Sequence, residues 1–173
     1  AGRRLIGFSA ELGGKNAMIV TRGANLDKVA KAATRACFSN AGQLCISIER
    51  IYVEKDIADE FTSKFGAAVR NMKLGTAYDF SVDMGSLISP SQLETVSDHV
   101  NDATAKGAKV IAGGKARPDV GPLFYEPTVL TDVTPEMECA ANETFGPLVS
   151  IYPVADVDEA VEKANDTEYG LNA

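Results

Sequence analysis

Helix-like and strand-like segments alternate along this chain, and that alternation restricts its fold more than any other feature. Asn25, Asp56, Ser89 and Asp156 are each followed by apolar residues that recur every three or four positions, as in a capped amphipathic helix. Between these helices, short apolar β-type runs are expected at 17–20, 51–53, 108–111, 128–130 and 148–152. We therefore predict an α/β fold in which helices pack around a largely parallel sheet.

Composition indicates a single globular domain. The 173 residues are 45% hydrophobic, which permits a sizeable core and argues against disorder. The formal net charge of −7 disfavours nucleic acid as a partner, because phosphate binding needs clustered Lys and Arg. No apolar run approaches the roughly 20 residues of a membrane span, so we expect no membrane association.

The cysteines indicate a reducing environment. Cys37, Cys45 and Cys139 form no CxxC pair, and the chain has one histidine. A tetrahedral structural zinc site needs four ligands from this small supply, so we expect no metal. An odd number of scattered cysteines suits the cytosol better than a disulfide framework, which predicts a cytoplasmic protein. Cys37 lies on the apolar face of the first helix, and we interpret both Cys37 and Cys139 as structural.

The segment 42–45, Gly-Gln-Leu-Cys, places a thiol on a glycine-bearing turn. Taken alone, a cysteine is more often a small buried apolar residue than a nucleophile. Here two other glycine-containing segments supply carboxylates, since Glu11 precedes Gly13-Gly14 and Glu143 precedes Gly146-Pro147. A thiol of ordinary pKa, about 8.5, is mostly protonated at neutral pH, so an enzyme that uses it needs a base nearby or a shifted pKa. We expect these segments to meet at the carboxyl ends of the parallel strands.

Together the three segments resemble the aldehyde dehydrogenase superfamily, in which they occur in the same order. Glu11 lies 34 positions before Cys45 (45 − 11), and Glu143 lies 98 positions after it (143 − 45). Both separations fit that family. The resemblance covers nearly the whole chain, from about Leu5 onward. Within the superfamily, the stretches around Glu11 and Cys45 are most similar to actinobacterial succinate-semialdehyde dehydrogenases.

The resemblance implies that Cys45 is the nucleophile of an aldehyde oxidation, with succinate semialdehyde as the expected substrate. Its thiolate attacks the aldehyde carbonyl to give a thiohemiacetal, hydride leaves for a nicotinamide cofactor (NADP or NAD), and water hydrolyses the resulting thioester. Glu11 is the implied general base, chiefly for the hydrolytic water. The backbone N–H of Cys45 is the expected oxyanion donor.

The family also implies residues on the cofactor side. The bend that contains Leu12 and Gly13 is expected to pass near the nicotinamide. Glu143 is expected to accept hydrogen bonds from the hydroxyls of the nicotinamide-side ribose, because an ionised carboxylate is an acceptor suited to a diol. Phe145 is expected to pack beside the nicotinamide ring.

Members of this family are several times longer than 173 residues, which makes the chain look truncated. They carry an N-terminal dinucleotide-binding domain and a C-terminal oligomerisation segment, and this sequence contains no GxGxxG fingerprint. We expect residues 1–173 to form the three-layer catalytic domain, with the cofactor-binding domain absent. The parent enzyme is expected to be a homo-oligomer, and the isolated domain is expected not to oxidise aldehydes.

Four other polar residues near the motifs are interpreted as structural. Lys15 is expected to support the glycine bend through backbone contacts, and Asn40 is expected to hold the turn that carries the thiol. Arg50 enters a predicted strand and is interpreted as one half of a structural ion pair. His99 lies on a polar stretch of helix and is interpreted as a solvated surface residue.

Two other functions stay open at this point. The chain could be a thiol hydrolase that uses Cys45 and Glu11, which would leave the segment 143–147 without a purpose. It could also be a catalytically silent binding or assembly domain, which its acidic composition and ordinary core permit. The reactivity of Cys45 relative to the other thiols distinguishes a silent domain from an enzyme.

Overall fold

The computed structural model describes residues 2–4 and 6–173, so Leu5 lies outside the described residues. The strands are β1 (Asn16–Val20), β2 (Ile48–Glu54), β3 (Lys109–Ala112), β4 (Thr128–Thr131) and β5 (Leu148–Val154). The α-helices are α1 (Leu26–Phe38), α2 (Lys55–Arg70), α3 (Pro90–Ala105), α4 (Glu138–Ala141) and α5 (Val157–Asn165). Short 3₁₀ turns occur at Gly2–Arg4 and Ser39–Gly42.

The strands form one sheet in the order β1-β2-β5-β4-β3. The pairs β1–β2, β2–β5 and β4–β5 are parallel, whereas the edge strand β3 runs antiparallel to β4. This confirms the predicted α/β fold with a largely parallel sheet. The reversed direction of β3 could not be predicted, because the apolar pattern of a strand is the same in both directions.

Side-chain caps begin three of the helices, as predicted. The side chain of Asn25 accepts a hydrogen bond from the backbone of Lys28, and Ser89 and Asp156 make the equivalent bonds at α3 and α5. The start of α2 differs, because the helix begins at Lys55 and Asp56 lies in its first turn without capping it. An acidic residue there still favours the helix through the helix dipole.

Helices cover both faces of the sheet. On one face, the rings of Phe38 and Phe65 in α1 and α2 stack 6.3 Å apart at their centroids, within a core that also contains Ile51 of β2. On the other face, Ala160 of α5 packs with Tyr52, the neighbour of Ile51 along β2. Successive strand residues point to opposite faces, so the two clusters define three layers. Among the helices described, none combines the length and apolar content needed to cross a membrane.

Three glycine-containing segments lead into the sheet at the same end of its strands. Residues 11–15 lead into β1, residues 42–47 lead into β2, and residues 143–147 lead into β5. Because these three strands are adjacent and parallel, the segments gather at the amino ends of the strands. The expectation of a site at the carboxyl ends was therefore wrong. That rule applies to crevices formed by loops that leave strands, whereas these turns precede their strands.

Candidate active site

The glycine bend, the thiol-bearing turn and the Glu143 segment are held together by hydrogen bonds. The backbone N–H of Gly14 donates to Oε1 of Glu143 at 2.8 Å. The side-chain amide of Asn16 donates to the carbonyl oxygens of Cys45 and Ser47, each at 2.8 Å. Segments separated by 29 and 129 positions in the sequence thus form one unit. A Cβ at position 14 would overlap the Cys45 carbonyl oxygen, so this approach requires glycine.

The turn that carries Cys45 has an unusual backbone. Asn40, Ala41 and Gly42 all adopt left-handed conformations, with φ of 53°, 55° and 71°. The Asn40 side chain donates to the carbonyl of Gln43 at 3.1 Å, and the Gln43 backbone N–H donates back to the carbonyl of Asn40. The structure thus agrees with the prediction that Asn40 holds this turn.

Cys45 differs from the other two thiols in its exposure. It is half-buried, and its flanking residues Leu44 and Ile46 are exposed. Its backbone N–H donates to no group in residues 2–4 and 6–173. A free N–H beside an accessible thiol is the arrangement that an oxyanion donor requires.

Cys37 and Cys139 are buried, which agrees with their structural interpretation. Burial, with a smaller contribution from the charge of Glu49, raises the pKa of the Cys37 thiol, and burial also raises the pKa of Cys139. Neither is suited to act as a thiolate nucleophile. Within the described ranges, no three His, Cys, Asp or Glu side chains gather as a metal site would require.

The predicted general base, Glu11, lies on the exposed start of the glycine segment, as does Leu12. The Glu11 carboxylate has no hydrogen-bond or ion-pair partner among the residues that the structure describes. In the same segment, Gly13 is half-buried. The catalytic role of Glu11 and the cofactor contacts of Leu12 and Gly13 remain predictions.

Glu143 and Phe145 lie in the segment that enters β5, and both are half-buried. Gly14 holds one oxygen of Glu143, while Oε2 has no hydrogen-bond donor in the described part of the chain. A partly exposed carboxylate with a free oxygen fits the hydroxyl groups of a ribose. Phe145 has a left-handed backbone with φ of 49°. The Gln92 side-chain amide donates to the carbonyls of Thr144 at 2.8 Å and Phe145 at 2.9 Å.

A buried ion pair that was not predicted from the sequence lies behind the candidate site. Lys15 Nζ lies 2.5 Å from Oε2 of Glu49, and the two side chains are 2% and 3% exposed. The Glu49 carboxylate also accepts the backbone N–H groups of Thr144 and Phe145. A glutamate just before the apolar run 51–53 is a signal that could have indicated a buried partner, because buried charges are almost always paired.

Arg50 makes no ion pair with any described residue, so its interpretation as half of an ion pair was wrong. Its guanidinium donates to the backbone carbonyls of Lys15, Lys163 and Ala164 and to the hydroxyl of Tyr52. The planar guanidinium carries five N–H donors, so one side chain can satisfy several carbonyls at once. Arg50 thus joins the start of β1 to the last turn of α5.

The interpretation of His99 as a solvated residue was also wrong. Its Nδ1 lies 3.0 Å from the hydroxyl of Thr144. Thr144 is the residue that separates Glu143 from Phe145 in the sequence. Burial, followed by the charge of Lys15, lowers the pKa of His99. The helical pattern of α3 placed His99 on a polar face but could not indicate that the Thr144 loop covers that face.

Comparisons with known proteins extend these observations. The family model described as "Aldehyde dehydrogenase family" matches residues 1–173. Over 173 residues, the chain is 93% identical to a Mycobacterium ulcerans protein that is named as an NADP+-dependent succinate-semialdehyde dehydrogenase. It is 78% identical over 172 residues to a similarly named protein of Mycolicibacterium smegmatis. The alignments cover 100% and 99% of this chain but 33% of each relative, so the chain spans about a third of their length.

Solved structures give the same answer. The fold is similar to betaine aldehyde dehydrogenase from Staphylococcus aureus in complex with NAD+, with a TM-score of 0.88 at 35% identity. It is also similar to lactaldehyde dehydrogenase from Escherichia coli, with a TM-score of 0.87 at 40% identity. Each comparison covers 93% of this chain, and the matched regions are 32% and 34% of those proteins. With the full-length match to the family model, they show that this chain belongs to the aldehyde dehydrogenase family.

Proposed function

We propose that a full-length protein carrying this sequence oxidises succinate semialdehyde to succinate with NADP+, and that Cys45 is its nucleophile. The substrate and cofactor are suggested by the names of relatives up to 93% identical to this chain. The observation that carries the assignment of the nucleophile is the contrast between the half-buried Cys45 and the buried Cys37 and Cys139. Only Cys45 lies where the three glycine-containing segments meet.

The proposed chemistry begins with addition of the Cys45 thiolate to the aldehyde carbon. A C–S bond forms, the carbonyl electrons move to oxygen, and the free N–H of Cys45 stabilises the oxyanion. A nicotinamide cofactor, when bound, would supply the hydride acceptor for this carbon, with Glu143 and Phe145 as the residues of this chain that would hold its nicotinamide end. Oxidation of the adduct leaves the acyl group on Cys45 as a thioester. Glu11 then takes a proton from water as the water attacks the thioester, and the C–S bond breaks to release the acid and the Cys45 thiolate.

We further propose that residues 1–173 are the nucleophile-bearing catalytic domain and contribute one wall of the cofactor site. Glu143 and Phe145 fit the nicotinamide end, because a free carboxylate oxygen and a half-buried aromatic ring lie on the same short segment. The residues that bind the rest of the cofactor are assigned to sequence outside this chain. The chain's coverage of 33% of its relatives supports that division.

The test is aldehyde oxidation by the full-length protein, followed as NADPH formation. We expect turnover with succinate semialdehyde and a loss of at least about 10³-fold in Cys45→Ser, because the covalent step depends on the thiolate. Cys37→Ala and Cys139→Ala are the matched controls and should retain turnover. Equal activity of Cys45→Ser and the unmodified protein would overturn the assignment. Ester hydrolysis without any NADPH formation would favour a thiol hydrolase instead.

A further inference from the structure

Glu49 is a buried acid whose partners all belong to the site. It lies near the start of β2, is 3% exposed, and pairs with Lys15 at 2.5 Å. Its Oε1 accepts the backbone N–H of Phe145 at 2.9 Å, and Thr144 N–H lies 3.0 Å from Oε2 and 3.1 Å from Oε1. A carboxylate with a cation and two amide donors is satisfied despite its burial.

These bonds fix a backbone conformation that needs support. Phe145 is a non-glycine residue with φ of 49°, and an L-amino acid adopts this region only when its surroundings hold it there. Glu49 holds the two N–H groups of Thr144 and Phe145, and the Gln92 amide holds their two carbonyls. Side chains of β2 and α3 thus fix all four backbone polar groups of this dipeptide.

The ion pair also connects this dipeptide to the glycine bend. Lys15 directly follows Gly14, whose N–H holds the Glu143 carboxylate. Glu143 is therefore fixed from two directions: by Gly14 at its side chain and by Glu49 through the next two residues of its backbone. The turn that carries Cys45 is held separately, by Asn16 and Asn40.

We propose that Glu49, neutralised by Lys15, is a positioning residue that sets the orientation of Glu143 and Phe145 toward the nicotinamide end of the cofactor. This inference rests on the proposed function of those two residues. It separates the two halves of the site, because Glu49 fixes the cofactor side and makes no hydrogen bond to the thiol-bearing turn within the described residues. Loss of Glu49 should weaken cofactor use while leaving the reactivity of Cys45 unchanged.

The experiment uses the full-length protein with Glu49→Gln and with the double variant Lys15→Met/Glu49→Gln. The double variant removes both charges, so it leaves no uncompensated buried lysine and restores much of the lost stability. Glu54→Gln is the matched control, because Glu54 is 4% exposed at the other end of β2 and pairs with Arg22 away from the site. Thermal unfolding of every variant separates effects on stability from effects on positioning.

We expect both Glu49 variants to raise the KM for NADP+ so that kcat/KM falls about 10- to 100-fold, by analogy with the loss of groups that orient metal-binding side chains. Hydrogen–deuterium exchange in the peptide 142–147 should rise in the double variant, with no comparable rise at the strands. The rate of Cys45 alkylation by iodoacetamide should stay within about twofold of that of the unmodified protein. Glu54→Gln should leave the KM and the exchange of this peptide unchanged.

A double variant with unchanged exchange in 142–147 and an unchanged KM would overturn the positioning role, whatever its stability. A parallel fall of Cys45 alkylation and cofactor use would also overturn it, because that result indicates general disruption. The exchange measurement needs neither cofactor nor turnover, so it tests the hold on this loop directly. If the unmodified protein forms no NADPH, the proposed function fails, and exchange still decides whether Glu49 fixes the loop.

Discussion

The amide of Gly14 and the carboxylate of Glu143 form a 2.8 Å hydrogen bond across 129 positions of the chain. The bond joins the segment that enters β1 to the segment that enters β5, although β2 lies between these strands in the sheet. It depends on the absence of a side chain at position 14, where a Cβ would overlap the carbonyl oxygen of Cys45. One glycine therefore controls the distance between the thiol-bearing turn and the Glu143 segment.

Gly14→Ala should damage both stability and catalysis. We expect the free energy of unfolding to fall by about 1–3 kcal/mol, because the added methyl group must displace the backbone at Cys45. Displacement of Cys45, the proposed nucleophile, by about 1 Å should lower kcat/KM for aldehyde oxidation by about 100-fold. Urea unfolding and NADPH formation measure the two effects. Gly85→Ala is the control, because no atom lies within 4 Å of the added Cβ there, and equal losses in both variants would contradict the steric argument.

The three thiols should react at very different rates with iodoacetamide. Cys45 is half-buried, whereas Cys37 and Cys139 are buried and have raised pKa values. Alkylation requires an accessible thiolate, so Cys45 should react at least about tenfold faster than either of the others under native conditions. Mass spectrometry of the alkylated peptides over time gives the three rates. Similar alkylation rates for the three thiols in the native protein, and equal rates after unfolding in urea, would indicate a catalytically silent domain.

The sequence predicted most elements because each has a local signal. Asn25, Ser89 and Asp156 cap their helices as predicted, and the apolar runs became strands. The antiparallel direction of β3 has no local signal, since it depends on which edge of the sheet remained free. The sequence also mispredicted the end of the strands at which the candidate site lies. The reason is similar, because strand order and direction are properties of the assembled sheet.

The motifs of the site were recognisable in the sequence, but its supports were not. A cysteine on a glycine turn and carboxylates on two others are short patterns, whereas the Lys15–Glu49 pair joins residues 34 positions apart. His99 and Arg50 were misinterpreted because their environments are supplied by distant backbone, at Thr144 and at the last turn of α5. Polar side chains acquire such partners only through the tertiary fold, so periodicity carries no information about them.

Arg50→Lys should be strongly destabilising although the charge is kept. One ammonium group cannot reproduce the bonds of the guanidinium to the carbonyls of Lys15, Lys163 and Ala164. Leaving the buried Lys15 carbonyl and the partly buried Ala164 carbonyl without their donors should lower the free energy of unfolding by about 2–4 kcal/mol. Arg22→Lys is the control, because the Arg22 side chain is 59% exposed and should lose less than about 1 kcal/mol. If Arg50→Lys and Arg22→Lys unfold at the same urea concentration, this explanation is contradicted.

His99 should make the stability of the chain fall as the pH drops through about 6.5, where the histidine of the unfolded chain takes up a proton. Burial and then Lys15 lower its folded-state pKa, and these effects outweigh the opposing charges of Glu49, Glu138 and Asp102. The unfolded chain, with an ordinary histidine pKa of about 6.5, therefore binds a proton that the folded chain rejects, so acidification favours unfolding. The stabilising contribution of Asp102, whose pKa is lowered chiefly by its hydrogen bond with Lys106, is lost only at lower pH.

The measurement is urea unfolding of this 173-residue chain at several pH values, for the native sequence and for His99→Gln. Glutamine keeps a group that can bond the Thr144 hydroxyl but takes up no proton in this range. Because His99 is the single histidine, the substitution removes the imidazole titration entirely. We expect the fall in unfolding free energy on acidification to be smaller in His99→Gln. Parallel pH profiles for the two chains would mean that His99 is protonated as readily in the folded state as in the unfolded state.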